Sequence, residues 1–296
     1  MSAAPGSSRW GARLVIALPY LWLLLFVLLP LAILLKISLA ESAIGVPPYT
    51  ALLRWTEGLP RLAAALENYA LLLSDELYWR AYLSSIVYAL GTTVFCLLLG
   101  YPMAYAVARA PKAWRSALLM LVVLPFWTSF LLRVYAWIGL LKDNGVINNA
   151  LTWLGLIHEP LPLLNNSFAV YVGLVYGYLP FMILPLYATL EKLDPALLEA
   201  AADLGCRPWR AFLRVTLPLS RPGIAAGALL VFIPAVGEFV IPELLGGPDT
   251  LMIGKVLWDE FFENRDWPVA SALAVAMLVL LVGPLALMRR YVEAET

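Results

Sequence analysis

Charged residues are scarce in this 296-residue sequence: they make up 14% of it, whereas hydrophobic residues make up 62% and the mean hydropathy is +0.83. A soluble domain carries about a quarter charged residues and about half apolar ones. A soluble core of this length could not bury so much apolar surface, so lipid must surround many of these side chains. The composition therefore excludes secreted and cytosolic globular enzymes and indicates one domain that crosses a membrane several times.

Histidine and cysteine are nearly absent, with one histidine and two cysteines, and 20 Lys and Arg residues balance 20 Asp and Glu residues. The sequence therefore offers neither the Cys and His ligands of a metal cluster nor a basic surface for nucleic acid. Cys96 lies in an apolar run and Cys206 in a polar, basic segment, so we expect no disulfide between them. We predict no metal site and no nucleic-acid partner.

Six apolar runs are long enough to cross a bilayer, which requires about 20 helical residues. The first contains 22 residues, more than the apolar part of a secretory signal, which has about 7 to 15. We therefore expect it to remain as a spanning helix; a cleaved signal is the alternative. The runs are residues 14–35, 81–108, 116–132, with an apolar extension at 134–141, then 168–190, 223–245 and 269–287.

Proline and glycine interrupt two of these runs. Pro180 and Pro185 lie in the fourth, and Pro234, Gly237 and Pro242 lie in the fifth. Proline lacks the amide hydrogen that a helix requires, so we expect kinks or unwound turns in both runs.

The distribution of Lys and Arg predicts the orientation of the chain. An even number of spans places both termini on one side, and the segments on that side carry 12 basic residues against 8 on the other. Because cytoplasmic segments are richer in Lys and Arg, both termini are predicted to be cytoplasmic. Residues 1–13 then form a cytoplasmic N-terminus, and residues 14–296 form a six-span domain that includes a cytoplasmic loop at 191–222.

That loop is longer than a hairpin requires and encodes two short helices. Asp194 can cap the first helix, Pro195 suits its first turn, and Gly205 ends it. The second is predicted to begin near Pro208 and to stop before Pro218. From the pattern alone, an amphipathic hairpin that lies on anionic lipid is an equal alternative.

Within the loop, Glu199-Ala200-Ala201, then Gly205 and then Leu217-Pro218 have the spacing of a known motif. The segment resembles the EAA loop of bacterial ABC importer permeases, with Val215 at a position usually held by Ile. The resemblance implies that the first helix inserts into a groove of a separate ATPase subunit and couples ATP-driven closure to the spans. The residues assigned to this coupling role are Leu197, Glu199, Ala200, Ala201, Leu204, Gly205, Leu217 and Pro218.

A phosphate-binding loop is missing from the chain. The nearest candidate is Gly254-Lys255, but Asp249 stands where the motif requires its first glycine and Val256 replaces the Ser or Thr. We therefore expect no cofactor in this chain and expect ATP and Mg²⁺ to bind the partner subunits.

A wider resemblance covers most of the chain. Residues 17–41, LPFWTSFLLRVYAWIGLLKDNGVINN at 124–149, and residues 232–272 look like polyamine importer permeases, closest to the putrescine type. This resemblance implies an all-α, six-span, type I importer fold in a bacterial inner membrane and half of a path for putrescine or spermidine. It also implies a second, non-identical permease, two ATPase subunits and a periplasmic polyamine-binding protein. An importer of another solute and a secondary transporter are the alternatives.

The acid Glu238 lies inside the fifth run, flanked by Pro234, Gly237 and Pro242. A carboxylate at the centre of a membrane helix costs about 2.5 to 3.5 kcal/mol, so it usually faces a water-filled path or a partner. We predict that it is a transient counter-ion for an ammonium group of the solute; a protonated side chain or a pair with Arg133 is the alternative. Aromatic faces also attract ammonium groups, although each such residue could equally serve packing or the membrane interface. The aromatic candidates are Trp127, Tyr135, Trp137, Tyr176 and Tyr178.

Overall fold

Helices make up most of the part of the chain that the computed structural model describes, residues 9–56, 59–62 and 66–295. The N-terminal half contains α1 (Arg9–Leu23), a π turn (Leu24–Leu28), α2 (Leu29–Ser38), β1 (Leu53–Thr56), β2 (Leu59–Leu62), α3 (Glu67–Ser74), α4 (Glu76–Arg109), α5 (Lys112–Val123), a 3₁₀ turn (Leu124–Trp127), α6 (Phe130–Leu141) and α7 (Val146–Trp153). The C-terminal half contains α8 (Ser167–Leu190), α9 (Ala196–Asp203), α10 (Pro208–Ala211), a π turn (Phe212–Thr216), α11 (Leu217–Leu219), α12 (Arg221–Val236), α13 (Val240–Leu245), α14 (Ile253–Trp258), a π turn (Asp259–Glu263) and α15 (Trp267–Glu295).

These elements divide into two compact units, Met1–Asp75 with Leu257–Val279, and Glu76–Val256 with Leu280–Thr296. The first unit contains an antiparallel hairpin of β1 and β2, which departs from the all-helical expectation. In the same unit the Asn68 side-chain amide donates hydrogen bonds to the carbonyls of Ser38 and Ala40, at 2.9 and 2.8 Å. These bonds hold the end of α2 beside the start of α3.

The second unit is built on α4, α8 and α12, which pack against one another. Small side chains such as Ala89 and Ala104 on α4 are fully buried there, together with Met182 on α8 and Val231 on α12. Small residues let membrane helices approach closely, and packing rather than a hydrophobic driving force then holds them together. Two of the residues that the sequence assigns to a solute path, Tyr176 and Tyr178, lie on α8 of this core, and Glu238 follows the end of α12.

Three described helices are long and apolar enough to cross a membrane: Val15–Ser38, Glu76–Arg109 and Ser167–Leu190. They correspond to the first, second and fourth predicted spans. Two bent helix pairs raise the number to five if each counts as one span, and Trp267–Gly283 is a shorter apolar helix at the sixth position. The polytopic helical prediction is confirmed, while the number six remains a prediction.

The third predicted span, 116–132, is wrong as a continuous helix. The chain bends by 88° between Lys112–Trp127 and Phe130–Trp153. Pro125 lies in a 3₁₀ turn, and the Thr128 hydroxyl donates to the Pro125 carbonyl at 2.7 Å. Thr128 is extended, and Ser129 caps the next helix. Pro125 and the polar pair Thr128-Ser129 therefore interrupt the helix where we expected it to continue.

The two proline-containing spans differ in outcome. The fifth is interrupted as predicted, because α12 ends at Val236 and α13 begins at Val240. The fourth is not, since α8 continues through Pro180 and Pro185 from Ser167 to Leu190. The unwinding expected there is wrong: packing against α4 and α12 keeps α8 helical despite the lost amide donors.

Candidate functional site

Glu238 lies in the interruption between α12 and α13 and is only 9% exposed. One carboxylate oxygen, Oε2, accepts a hydrogen bond from the Tyr178 hydroxyl of α8 at 2.5 Å. The other, Oε1, accepts from the backbone amide of Val240 at 3.0 Å, on the first residue of α13. The carboxylate therefore joins α8 to the broken helix and keeps lone pairs for a further donor, because each ionised oxygen can accept more than one hydrogen bond.

Arg133 does not pair with Glu238 in this structure. Its guanidinium carbon lies 4.7 Å from the centre of the Phe126 ring and 5.6 Å from that of Phe130. The ion pair between Glu238 and Arg133 that the sequence left open is therefore not formed. Glu238 instead accepts a hydrogen bond from Tyr178, and Arg133 lies over the rings of Phe126 and Phe130.

Close backbone packing fixes the shape of the interruption. A Cβ atom at Gly254 would lie 2.4 Å from the Gly237 carbonyl oxygen and 2.6 Å from that of Glu238, so only glycine fits there. The neighbouring Ile253 amide donates to the Ser85 hydroxyl of α4 at 2.7 Å. The start of α14 therefore holds the backbone of Glu238 in place.

The aromatic candidates fall into three groups. Tyr178 binds Glu238, and Trp137 contacts Tyr176 edge-to-face with ring centres 5.5 Å apart. Trp127 and Tyr135 are exposed on this chain, at 73% and 56%. The structure therefore brings one predicted aromatic residue to the carboxylate, pairs two others, and leaves two on the surface.

A cavity of about 600 Å³ lies between α8 and α12 and shares Tyr178 with the Glu238 site. Its walls are wholly apolar, and the lining residues are Tyr178, Phe181, Ala226, Leu229, Leu230, Ile233 and Pro234. Phe181 is not among the residues predicted from the sequence, although it follows Tyr178 by three positions and so shares its helix face. A carboxylate beside an apolar cavity suits a solute that carries positive charge on an aliphatic body.

The loop at 191–222 forms the two predicted helices. The Asp194 carboxylate accepts a hydrogen bond from the Ala196 amide at 3.0 Å, which confirms it as the cap of α9. Gly205 has φ +74°, a left-handed conformation that ends the first helix. The second helix runs from Pro208 to Leu219, so our prediction that it stops before Pro218 is wrong. The π turn at Phe212–Thr216 changes the hydrogen-bond ladder immediately before that proline and accommodates its missing donor.

Apolar side chains of α9 and of the residue that follows it are exposed on the surface of this chain. Leu204 is 88% exposed and Leu197 is 46% exposed, while Glu199 and Ala200 are also exposed. The Arg115 guanidinium pairs with Glu191 at 3.2 Å, which joins the start of the loop to α5. The first helix is therefore held at its base and presents leucine, alanine and one acid outward.

The family model for the binding-protein-dependent transport system inner membrane component matches residues 97–294. The chain belongs to this family. Its permease relatives include the spermidine/putrescine transport system permease protein PotB of Salmonella typhimurium strain SL1344, 41% identical over 260 residues, which cover 88% of this chain and 86% of that one. PotB of Haemophilus influenzae is 40% identical over 269 residues, which cover 91% and 90% of the two chains.

A solved structure supports the permease fold independently. It is a bacterial alginate ABC transporter in complex with an alginate pentasaccharide-bound periplasmic protein, and it matches with a TM-score of 0.63 and 20% identity over 95% of both chains. The family predicted from the EAA loop is thus confirmed, and the chain is a transport subunit of the inner membrane rather than an enzyme. Membership implies companion components: a periplasmic binding protein, a second permease and ATPase subunits.

Proposed function

We propose that this permease forms half of a membrane path for polyamines, driven by ATP hydrolysis on partner subunits. The observation that carries the proposal is Glu238, a buried carboxylate that accepts a hydrogen bond from Tyr178, which itself lines an apolar cavity. Permease relatives at 40 to 41% identity are named for spermidine and putrescine, which supports this choice of solute.

The chemistry of a polyamine matches this arrangement. An ammonium group can bind Glu238 and lie over the face of Tyr178, where a cation gains about 0.5 to 2 kcal/mol. Tyr176 and Trp137, whose rings contact each other, would offer a separate aromatic surface along the path. The aliphatic segment between two ammonium groups suits the apolar wall formed by α8 and α12. Trp127 and Tyr135 are exposed on this chain. In the proposed complex they would line the path on the side where this chain faces the second, non-identical permease.

The energy for transport would enter through α9. Leu197 and Leu204 would bury in a groove of an ATPase subunit, while the small side chains of Ala200 and Ala201 allow close approach. Glu199 would meet a basic group there, and the remaining coupling positions, Gly205, Leu217 and Pro218, would fix the angle between the two helices. ATP and Mg²⁺ bind only the two ATPase subunits in this proposal.

The topology that follows places both termini and loop 191–222 in the cytoplasm, with residues 1–13 as the N-terminal segment and residues 14–296 as the permease domain. A periplasmic polyamine-binding protein would deliver solute to the opposite face. ATP binding would close the ATPase pair and open the path outward, because a ligand shifts a conformational equilibrium by its different affinity for the two states. Hydrolysis would return the path to the inward-facing state.

Reconstitution tests this function directly. The complete complex, copurified from native membranes, is placed in liposomes, and uptake of labelled putrescine and spermidine is measured with and without ATP and binding protein. We expect uptake that requires both, competition by unlabelled diamine, and no competition by 1,4-butanediol, which keeps the carbon chain and lacks the charges. Uptake driven by an ion gradient without ATP, or equal competition by the diol, would contradict the proposal.

A further inference from the structure

Arg133 is a second charged group in the same unit, and no acidic side chain within residues 9–56, 59–62 and 66–295 forms an ion pair with it. It lies on α6, one turn after the 88° bend, with its guanidinium over the rings of Phe126 and Phe130. Its Nε and Nη1 atoms are buried without a hydrogen-bond acceptor among the described residues. Aromatic faces stabilise such a cation but leave its positive charge uncancelled.

A row of aromatic rings joins this cation to the carboxylate. The Arg133 guanidinium carbon lies 4.7 Å from the Phe126 ring centre, which is 5.4 Å from that of Phe181. The Phe181 ring centre is in turn 6.2 Å from that of Tyr178, which binds Glu238. The fixed positive and negative groups therefore stand at opposite ends of one row of rings, at most about 16 Å apart from guanidinium carbon to tyrosine ring.

We propose that Arg133 determines which charged solutes this path accepts, because its fixed positive charge opposes every solute ammonium beyond the one held by Glu238. This inference rests on the proposed function. Ring faces attract a cation, so an extended polyamine anchored at Glu238 would place its remaining ammonium groups along the row, toward Arg133. A triamine brings one more positive charge toward Arg133 than a diamine does, and the path therefore discriminates against the triamine.

The size of the effect follows from the separation. An additional ammonium along the row would lie no farther than about 16 Å from the Arg133 guanidinium. Two unit charges at that limiting separation, at an effective dielectric constant of about 20, repel enough to change a binding constant about sixfold. A shorter distance increases this factor. Removal of the charge should therefore improve triamine import relative to diamine import by about sixfold or more.

The experiment uses the reconstituted complete complex with Arg133→Met, which keeps an apolar stem without charge, and Arg133→Lys, which keeps the charge. Initial uptake is measured over a range of putrescine and spermidine concentrations, and the ratio of the two apparent KM values is compared with that of the wild type. Because the same binding protein delivers the solute in every case, its own preference cancels in this comparison. We expect the Met variant to shift the ratio about sixfold toward spermidine and the Lys variant to retain the wild-type ratio.

Several outcomes would overturn the inference. An unchanged ratio in Arg133→Met, or equal shifts in Met and Lys, would show that the charge does not select the solute. If Arg133→Met fails to assemble, Arg133→Gln repeats the measurement with a polar side chain. Loss of assembly in both, with the Lys variant intact, would assign Arg133 to an acidic group of the second permease instead. A wild-type complex that imports neither amine would reject the proposed function itself.

Discussion

Gly254 offers the sharpest structural test of how the Glu238 site is held. An alanine there would place its Cβ 2.4 Å from the Gly237 carbonyl oxygen and 2.6 Å from the Glu238 carbonyl oxygen. Both neighbours are backbone atoms, so no side-chain rotation can relieve the contact. The break between α12 and α13 must move away, and Glu238 moves with it.

The magnitude can be estimated from these distances. The backbone must retreat by at least about 0.6 Å to lengthen the 2.4 Å contact to 3.0 Å, the shortest separation that real Cβ atoms tolerate. Overpacking of this kind costs about 1 to 3 kcal/mol. Since 1.4 kcal/mol corresponds to a factor of ten, we expect Gly254→Ala to reduce uptake by about tenfold, with part of the cost seen as lower thermal stability.

The assay compares Gly254→Ala with Gly139→Ala in the reconstituted complex. Gly139 is a helical glycine whose added Cβ would meet nothing within 4 Å beyond the backbone of its own helix and its two chain neighbours, so its replacement should preserve or slightly improve stability. Uptake, ATPase copurification and thermal unfolding are measured for both variants. Normal uptake by Gly254→Ala would refute the claim that this contact positions Glu238.

Three further predictions concern the coupling loop and the carboxylate. Gly205→Val places a β-branched side chain at a residue with φ +74°, at a cost of about 1 to 2 kcal/mol, and should reduce ATPase copurification. The control Gly155→Val makes the same change at φ +70° outside the loop and should retain copurification. Equal effects of the two variants would contradict the coupling role. Leu204→Ala removes a side chain that is 88% exposed, so thermal stability should stay constant while ATPase copurification falls; unchanged copurification would argue against docking there. Tyr178→Phe removes a hydrogen bond to Glu238 worth about 1 to 3 kcal/mol and should lower uptake several-fold with assembly intact. Uptake at the wild-type rate in this variant would contradict a role for that hydrogen bond.

Local rules predicted those features that a few neighbouring residues determine. Asp194 caps α9 because its carboxylate reaches the Ala196 amide two positions away, and Gly205 ends that helix because it alone tolerates the left-handed conformation at low cost. The interruption at Glu238 also follows from nearby signals, since Pro234 and Gly237 both weaken the helix. Each of these contacts spans a short stretch of sequence.

Features that depend on residues far apart in the sequence could not be predicted from local signals. Nothing in the sequence near Gly254 indicates that it lies against the carbonyl of Glu238. The carboxylate accepts its hydrogen bond from Tyr178 rather than pairing with Arg133 because of how α8 packs against α12. Pro180 illustrates the converse, because packing kept α8 helical where local preference favoured a break. Tertiary contacts decided all three cases.

The most direct test of the account is uptake of labelled putrescine by the reconstituted complex carrying Glu238→Gln. Gln keeps the shape of the side chain and removes its charge, whereas Glu243→Gln makes the same replacement at a partly exposed acid that pairs with Lys255 at 2.8 Å. Hydrogen bonds to charged groups contribute about 1.5 to 3 kcal/mol, so uptake should fall tenfold or more in the first variant, with assembly and ATPase copurification unchanged. The control should transport normally. Wild-type uptake by Glu238→Gln would contradict the account.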